Sequence, residues 1–155
     1  MTSDAMSDTL PILIVDDQPK LLRLVIELMS RLGFPDVEGV SDGPEALKRM
    51  RERRYALVIS DLAMEPMDGL QLLREIRADD GLMNTPFILT ETSFDFEDIN
   101  HAHVAGADAF ILKPFDINLL KTKLKQVLNR KPRRREAPLP AESTLSQEFP
   151  LLGKF

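Results

Sequence analysis

The chain has 155 residues, 43% of them hydrophobic and 29% charged, a balance that is typical of one folded domain with its own hydrophobic core. It has no cysteine, which excludes disulfides and thiolate metal sites. It has no apolar run near the roughly 18 residues that span a bilayer, and its polar start is unlike a signal peptide, so we expect a cytoplasmic protein without membrane insertion. The net charge is −8 over residues 1–129 (14 Lys and Arg, 22 Asp and Glu) and +3 over residues 130–155 (6 and 3), and the acidic body argues against DNA binding by the folded part.

Short apolar runs alternate with stretches of helical periodicity from residue 11 to about residue 129. Continuous apolar runs are typical of buried parallel strands, and they predict strands at residues 11–15, 37–40, 56–60, 86–90 and 109–112. Helical spacing and cap residues predict helices at about 19–32, from 41, from 68, at about 95–105 with a weaker pattern, and from 116. Five strands that alternate with five helices predict an α/β fold, a doubly wound five-stranded parallel sheet in a three-layer sandwich.

The composition divides the chain into three parts, with the predicted domain at residues 11–129. Residues 1–10 are expected to form a flexible N-terminal extension. Residues 130–155 begin with a basic run at 130–135 and are rich in proline, a composition that predicts a disordered tail. The basic run is interpreted as a solvated segment, with nucleic-acid contact as the less favoured alternative. The apolar end, residues 149–155, is expected to dock on this domain or on a partner.

Charged residues follow three of the predicted strands at the point where each strand ends. Asp16 and Asp17 close the first apolar run, Asp61 closes the third, and Lys113 follows the fifth. The carboxyl ends of parallel strands meet at one edge of a sheet, where open α/β sheets build their ligand sites, so we expect these side chains to lie together. Three carboxylates that converge without a cation repel one another strongly. The arrangement therefore implies a bound metal ion, an anionic partner, or both.

The ordered set of motifs at these strand ends resembles the CheY-like receiver domains of bacterial two-component response regulators. The spacings from Asp17 to Asp61 (44 residues) and from Asp61 to Lys113 (52 residues) fit that family. Each motif alone is weakly specific, but the ordered set is highly specific and covers residues 11–129. The motifs that carry the resemblance are Asp16-Asp17, Asp61, Met64-Glu65-Pro66-Met67-Asp68-Gly69, Thr90 and Lys113-Pro114-Phe115. The resemblance implies a flavodoxin-like fold.

The resemblance also implies the chemistry of phosphoryl transfer. Asp61 is implied to be the nucleophile that takes a phosphoryl group from a sensor histidine kinase or a histidine phosphotransfer protein. Lys113 is implied to contact a phosphoryl oxygen, and its bond to the following proline is implied to be cis. Magnesium is the implied cofactor, and its ligands would be Asp16, Asp17, Asp61 and the backbone carbonyl of Ala63.

Two further positions imply a switch. Thr90 is the implied switch hydroxyl, which would donate to a phosphoryl oxygen after transfer and draw the following loop inward. Phe110 occupies the aromatic position whose ring is implied to turn inward with that movement. The surface of residues 95–129 would then change its affinity for a downstream protein target, in a monomer or a weak dimer.

Three features depart from the pattern of the family. Proline follows Glu65 instead of coming first, which predicts a differently shaped loop after Asp61. Ala63 cannot position an attacking water, which predicts slow intrinsic hydrolysis or dependence on the groups of a partner. Glu91 stands where a small residue is usual, and we hypothesise that its carboxylate is an access gate that hinders small anionic phosphodonors unless it turns outward.

The sequence therefore predicts a single-domain response regulator, a phosphoacceptor switch and not a turnover enzyme, with a chemotaxis-type or a phosphorelay output. A phosphatase of the haloacid dehalogenase class also uses an Asp nucleophile with magnesium, but it normally has a second acid where this chain has Ala63. A flavodoxin-like or nucleotide-binding domain would have a glycine-rich phosphate loop where this chain has Asp16-Asp17-Gln18-Pro19. An interaction module that switches without phosphorylation is the third alternative, which the intact acid cluster and Lys113 disfavour.

Overall fold

The computed structural model describes residues 10–129, which contain five strands and five helices in alternation. The strands are β1 (Ile12–Val15), β2 (Val37–Val40), β3 (Leu57–Asp61), β4 (Phe87–Glu91) and β5 (Ala109–Leu112). The helices are α1 (Pro19–Arg31), α2 (Gly43–Glu52), α3 (Gly69–Ala78), α4 (Phe96–Ala105) and α5 (Ile117–Leu128). None of these helices is long and apolar enough to cross a membrane. The predicted tail, and all but the last residue of the predicted N-terminal extension, lie outside the described residues.

All neighbouring strands pair in parallel, in the order β2-β1-β3-β4-β5. Residues alternate between the two faces of the sheet: in β1, Leu13 and Val15 belong to one hydrophobic cluster, and Ile12 and Ile14 belong to the other. The first cluster is completed by α2, α3 and α4, and the second by α1 and α5. The doubly wound, five-stranded parallel α/β fold predicted from the sequence is confirmed.

Aspartate side chains fix the start of four helices. At α2, α3 and α5, the backbone N–H three residues after the cap donates to Asp42, Asp68 and Asp116 at 2.7–2.8 Å. At α4, Asp95 accepts from the N–H of Asp98, and Asp98 accepts from the N–H of Asp95. Gly106, with a φ of 103°, ends α4 in the left-handed conformation. These two end signals explain why α4 forms although its apolar pattern is weak.

The third and fourth strands lie one residue later than predicted. Asp61 is the last residue of β3 rather than the residue after it, because it pairs with Thr90 and continues the ladder to β4. β4 includes Glu91, whose backbone carbonyl accepts from the N–H of Lys113 at 2.8 Å. Hydrogen bonds between strands thus extend past the apolar runs and hold the backbone of the charged residues.

A buried ion pair that the sequence analysis missed lies at the opposite, amino-terminal edge of the sheet. Arg77 on α3 contacts Asp108, just before β5, at 3.2 Å, and both side chains are largely buried. Asp108 also accepts from the N–H of Phe87, the first residue of β4, at 2.8 Å. The guanidinium of Arg77 donates further, at 2.6–3.2 Å, to the backbone carbonyls of Met83, Thr85 and Gly106. The pair therefore joins α3, β4 and the end of α4 at the edge remote from Asp61.

Candidate functional site

The predicted site residues come together at the carboxyl edge of the sheet. β1 lies beside β3, so Asp16 and Asp17, which follow β1, stand next to Asp61 at the end of β3. β4 flanks β3 on its other side and brings Thr90 into register with Asp61. β5 is the next strand, and Lys113 follows its last residue. The parallel topology thus assembles the site from segments that are far apart in the chain.

Three carboxylates form an acidic cluster at the centre of this edge. Oxygen atoms of Asp16, Asp17 and Asp61, one from each, all lie within 4.8 Å of one another. Asp16 and Asp61 are only 4% and 3% exposed, whereas Asp17 is open to solvent. The backbone N–H of Gln18 donates to Asp16 Oδ1 at 2.9 Å and fixes that side chain. An all-oxygen donor set with one solvent-accessible member fits Mg²⁺, a hard cation that prefers oxygen ligands and keeps several waters.

Lys113 faces the acidic cluster. Its Nζ lies 2.9 Å from Asp61 Oδ1 and 3.3 Å from Asp16 Oδ2. Burial alone would lower the pKa of Lys113, but the hydrogen bond and charge of Asp61 and the charge of Asp16 outweigh burial and raise that pKa. Lys113 is therefore held as an ammonium ion in the site. The peptide bond between Lys113 and Pro114 is cis, as predicted.

Asp61 has a raised pKa although it is paired with a lysine. Burial is the main cause, and it outweighs the hydrogen bond and the charge of Lys113, which lower the pKa. The charges of Asp16 and Glu91 add to the increase. The protein thus neutralises the charge of Asp61 only in part, and a bound divalent cation would act in the opposite direction by stabilising the ionised carboxylate.

Gly69 lets the loop after β3 fold back against Asp61. The N–H of Gly69 donates to the carbonyl of Leu62 at 2.8 Å, and the N–H of Leu62 donates to the carbonyl of Thr90 at 2.9 Å. A Cβ on Gly69 would lie 2.3 Å from the backbone oxygen of Asp61, so a larger residue would require the loop to shift. The sequence analysis placed Gly69 in a family motif at the start of a predicted helix but did not predict this close approach to Asp61.

Thr90 and Phe110 lie on neighbouring strands beside the acidic cluster. Thr90 is buried, and its Oγ1 lies 3.5 Å from the carbonyl oxygen of Ser60, at the limit of a hydrogen bond. Phe110 on β5 is half-buried and packs edge to face on Phe94, with ring centroids 5.4 Å apart and an interplanar angle of 70°. The hydroxyl of Thr90 is thus only weakly bonded, and the contact of Phe110 with Phe94 connects the strands beside the site to the loop before α4.

Comparison with known proteins identifies the family that has this site. The model of the response regulator receiver domain family matches residues 12–125. The chain belongs to this family. Chemotaxis protein CheY-3 of Vibrio cholerae serotype O1 is a similar protein, 34% identical to this receiver domain over 125 residues, which make up 81% of this chain and 96% of that protein.

Solved structures are similar to this receiver domain over nearly their whole length. Chemotaxis protein CheY4 of Vibrio cholerae gives a TM-score of 0.73 at 28% identity, covering 77% of this chain and 98% of that one. The receiver domain of a sensor histidine kinase from Pseudomonas aeruginosa PAO1, with a magnesium ion coordinated in its active site cleft, gives a TM-score of 0.71 at 26% identity, covering 78% of this chain and 98% of that one. The family assignment favours the receiver interpretation over the phosphatase and nucleotide-binding alternatives.

The departures noted in the sequence lie at the rim of the receiver domain's site. Ala63 is exposed in the loop after β3 and presents only a methyl group. In the same loop, where the sequence predicted a different shape, the peptide bond between Glu65 and Pro66 is cis. Glu91 is half-buried at the end of β4, and its charge contributes to the raised pKa of Asp61.

Proposed function

We propose that Asp61 accepts a phosphoryl group from a sensor histidine kinase or a histidine phosphotransfer protein, and that the domain is a response regulator in two-component signalling. One observation carries the proposal: the ammonium of Lys113 lies 2.9 Å from Asp61 within a cluster of three carboxylates. Such a site suits a divalent cation and a phosphoryl group together, because the carboxylates attract the cation and the lysine contacts a phosphoryl oxygen. The domain then stores a phosphoryl group and is not a turnover enzyme.

The transfer exchanges one bond to phosphorus for another. A carboxylate oxygen of Asp61 forms a bond to phosphorus while the bond from phosphorus to the donor's imidazole nitrogen breaks. The products are an acyl phosphate on Asp61 and a neutral imidazole, which keeps the proton on its other nitrogen. Lys113 is held ready for the phosphoryl oxygens by its contacts with Asp61 and Asp16. Burial of Asp61 restricts the access of water to the nucleophile.

Asp16, Asp17, Asp61 and the backbone carbonyl of Ala63 would hold Mg²⁺. When bound, the ion would supply charge neutralisation at the phosphoryl oxygens. Asp17 leaves a solvent-accessible side to the cluster, and Asp16 is fixed by the N–H of Gln18. The magnesium ion in the similar kinase receiver domain supports this choice of metal.

We propose that Thr90 and Phe110 convert phosphorylation into a change of surface. Thr90 would give its weakly held hydroxyl to a phosphoryl oxygen, and Phe110 would move with it. Because Phe110 packs on Phe94, before α4, this movement would reach the surface of residues 95–129, which is the proposed docking site of a downstream protein in a monomer or weak dimer. Its exposed apolar side chains are Phe96, Val104, Leu112 and Leu119.

The proposal covers both the chemotaxis-type and the phosphorelay output, since both use the same chemistry at Asp61. A cytoplasmic location, domain limits at residues 11 and 129, a flexible N-terminal extension and a disordered tail accompany it as predictions from the sequence. Slow hydrolysis of the acyl phosphate, expected from Ala63, also stays a prediction.

Intact-mass spectrometry tests the proposal. With Mg²⁺ and phosphoramidate, the wild-type protein should gain the mass of one phosphoryl group, and chelation of the metal should abolish the gain. Asp61→Asn should gain none, because it lacks the nucleophilic carboxylate. The matched control Asp80→Asn, at an exposed acid between α3 and β4, should behave like the wild type. An equal gain in Asp61→Asn, or no gain in either the wild type or Glu91→Gln, would contradict the proposal.

A further inference from the structure

Glu91 holds a fourth carboxylate at the carboxyl edge of the sheet. It is the last residue of β4, directly after Thr90, which pairs with Asp61. Its backbone carbonyl accepts from the N–H of Lys113 at 2.8 Å, so the backbone of Glu91 is held between two residues of the site, Thr90 and Lys113. Its side-chain Oε1 accepts from the N–H of Thr92 at 2.6 Å, and the side chain is half-buried. The carboxylate is therefore attached to its own strand end rather than free in solvent.

The charge of Glu91 has no cation beside it in the described part of the chain. Lys113 makes ion pairs with Asp61 and Asp16, and within residues 10–129 no lysine or arginine lies within ion-pair distance of Glu91. Its charge nevertheless reaches Asp61, where it helps to raise the pKa of that carboxyl. A donor that approaches Asp61 therefore meets an additional negative charge that no lysine or arginine among residues 10–129 pairs with.

We propose that Glu91 selects the phosphodonor by charge: its carboxylate disfavours small dianionic phosphodonors and leaves the site to phosphohistidine on a partner protein. The inference rests on the proposed function and names the donor class of the same site. A small donor brings its full negative charge to the acidic rim and has no surface of its own that could pair with Glu91. A phosphohistidine arrives on a protein whose own surface can pair with the acidic rim, so the repulsion from one carboxylate is offset.

The physical signature is a dependence on the charge of the donor. Coulomb energy is proportional to charge, so the factor by which Glu91 slows a dianion is the square of the factor for a monoanion. If removal of the charge speeds the monoanion phosphoramidate about threefold, it should speed the dianion acetyl phosphate about tenfold. Both factors should shrink at high ionic strength, because salt screens partly exposed charges.

The experiment compares the wild type, Glu91→Gln and Glu75→Gln by intact-mass labelling rates, with Mg²⁺ and each of the two donors. Gln at position 91 keeps a side-chain oxygen for the N–H of Thr92 and removes only the charge. Glu75→Gln removes the same charge from an exposed position on α3, outside the site and the proposed docking surface. We expect acetyl phosphate to gain more than phosphoramidate in Glu91→Gln, with both gains reduced in high salt, and no change in Glu75→Gln.

Failure of this inference and failure of the proposed function give different results. Labelling at Asp61 with the same ratio of donor rates in wild type and Glu91→Gln would overturn the charge selection and leave the phosphoacceptor role intact. An equal gain in both Glu variants would also overturn it, because net charge alone would then be the cause. Labelling that persists in Asp61→Asn, or fails with both donors in all three proteins, would overturn the proposed function and this inference with it.

Discussion

Lys113 bridges Asp61 and Asp16, with its Nζ 2.9 Å from one carboxylate and 3.3 Å from the other. One ammonium ion thus serves two buried carboxylates, while Asp17 completes the acidic cluster from its solvent-exposed side. The three carboxylates have oxygen atoms within 4.8 Å of one another, and their mutual repulsion raises the free energy of the folded protein when no metal is bound. Under the proposed function, the same carboxylates that lower the stability of the metal-free domain would bind a cation beside the phosphoryl group.

Asp17→Asn should separate metal binding from stability. Removing one charge relieves repulsion, so we expect the metal-free variant to be more stable than the wild type by about 0.5 kcal/mol. The wild type should gain about 2.7 kcal/mol when Mg²⁺ is present at about 100 times its dissociation constant. Asp17→Asn should lose most of this gain. Thermal unfolding with and without Mg²⁺ measures both effects, and an unchanged response of Tm to Mg²⁺ would contradict the ligand role of Asp17.

Thr90→Val should uncouple phosphorylation from the change of surface. The variant keeps the shape of the side chain but lacks the hydroxyl, whose contact with Ser60 is long at 3.5 Å and contributes little to folding. We expect Asp61 to be labelled as in the wild type, while hydrogen exchange in residues 95–129 no longer responds to labelling. Thr90→Ser should keep the response. A full response in Thr90→Val would show that the hydroxyl is not the switch.

The sequence predicted the fold well because strand and helix signals agreed along the chain. The apolar runs located all five strands, with the third and fourth displaced by one residue, since pairing of Asp61 with Thr90 extends beyond the apolar residues. For α4, the apolar periodicity was weak, and local capping by Asp95 and Asp98 supplied what the pattern lacked. End signals and strand pairing thus decided the boundaries that hydrophobic pattern alone left approximate.

The site was predictable for a different reason: parallel strands bring their carboxyl ends to one edge. The proximity of Asp16, Asp17, Asp61 and Lys113 followed from that topology. Contacts that depend on loop geometry had no comparable signal, because a sequence does not show how a loop folds back. The close approach of Gly69 to Asp61 belongs to this class.

Asp108→Ala should reduce the free energy of unfolding by about 3 kcal/mol, because it leaves a buried guanidinium without its carboxylate. It also removes the acceptor of the Phe87 N–H. Asp108→Asn keeps an acceptor oxygen and should lose less. Urea unfolding measures both variants, and the rate of labelling at Asp61 should be unchanged in Asp108→Asn because the pair lies at the remote edge. A loss below about 1 kcal/mol in Asp108→Ala would contradict the role of this pair.

Tyr55→Phe should remove a pH-dependent part of the stability. The hydroxyl of Tyr55 donates to Glu38 at 2.6 Å, and burial, followed by this hydrogen bond and the charge of Glu38, raises the pKa of Tyr55 from 10.0 to about 12. A raised pKa stabilises the protonated form, so the advantage of the wild type is complete below pH 10 and is lost as the pH rises towards 12. We expect an advantage of about 1 kcal/mol at pH 7, measured by urea unfolding.

Tyr55→Phe removes only the hydroxyl, so the comparison controls for the contacts of the aromatic ring. The ring remains in the variant, so its contact with the guanidinium of Arg53, 5.5 Å from the ring centroid, is kept. A difference between the two proteins that stays constant from pH 7 to pH 11 would show that the phenol has the same pKa in the folded and the unfolded protein, which would contradict the raised pKa.

Chemical identification of the phosphorylated residue tests the central claim most directly. Borohydride reduces an acyl phosphate of aspartate to homoserine, so the protein labelled with phosphoramidate and Mg²⁺ would be reduced, digested and sequenced by mass spectrometry. We predict homoserine at position 61, with Asp16 and Asp17 unchanged, because Asp61 is the buried carboxylate nearest the ammonium of Lys113. Homoserine at position 16 or 17, or none in a protein that carries the phosphoryl group, would contradict the account.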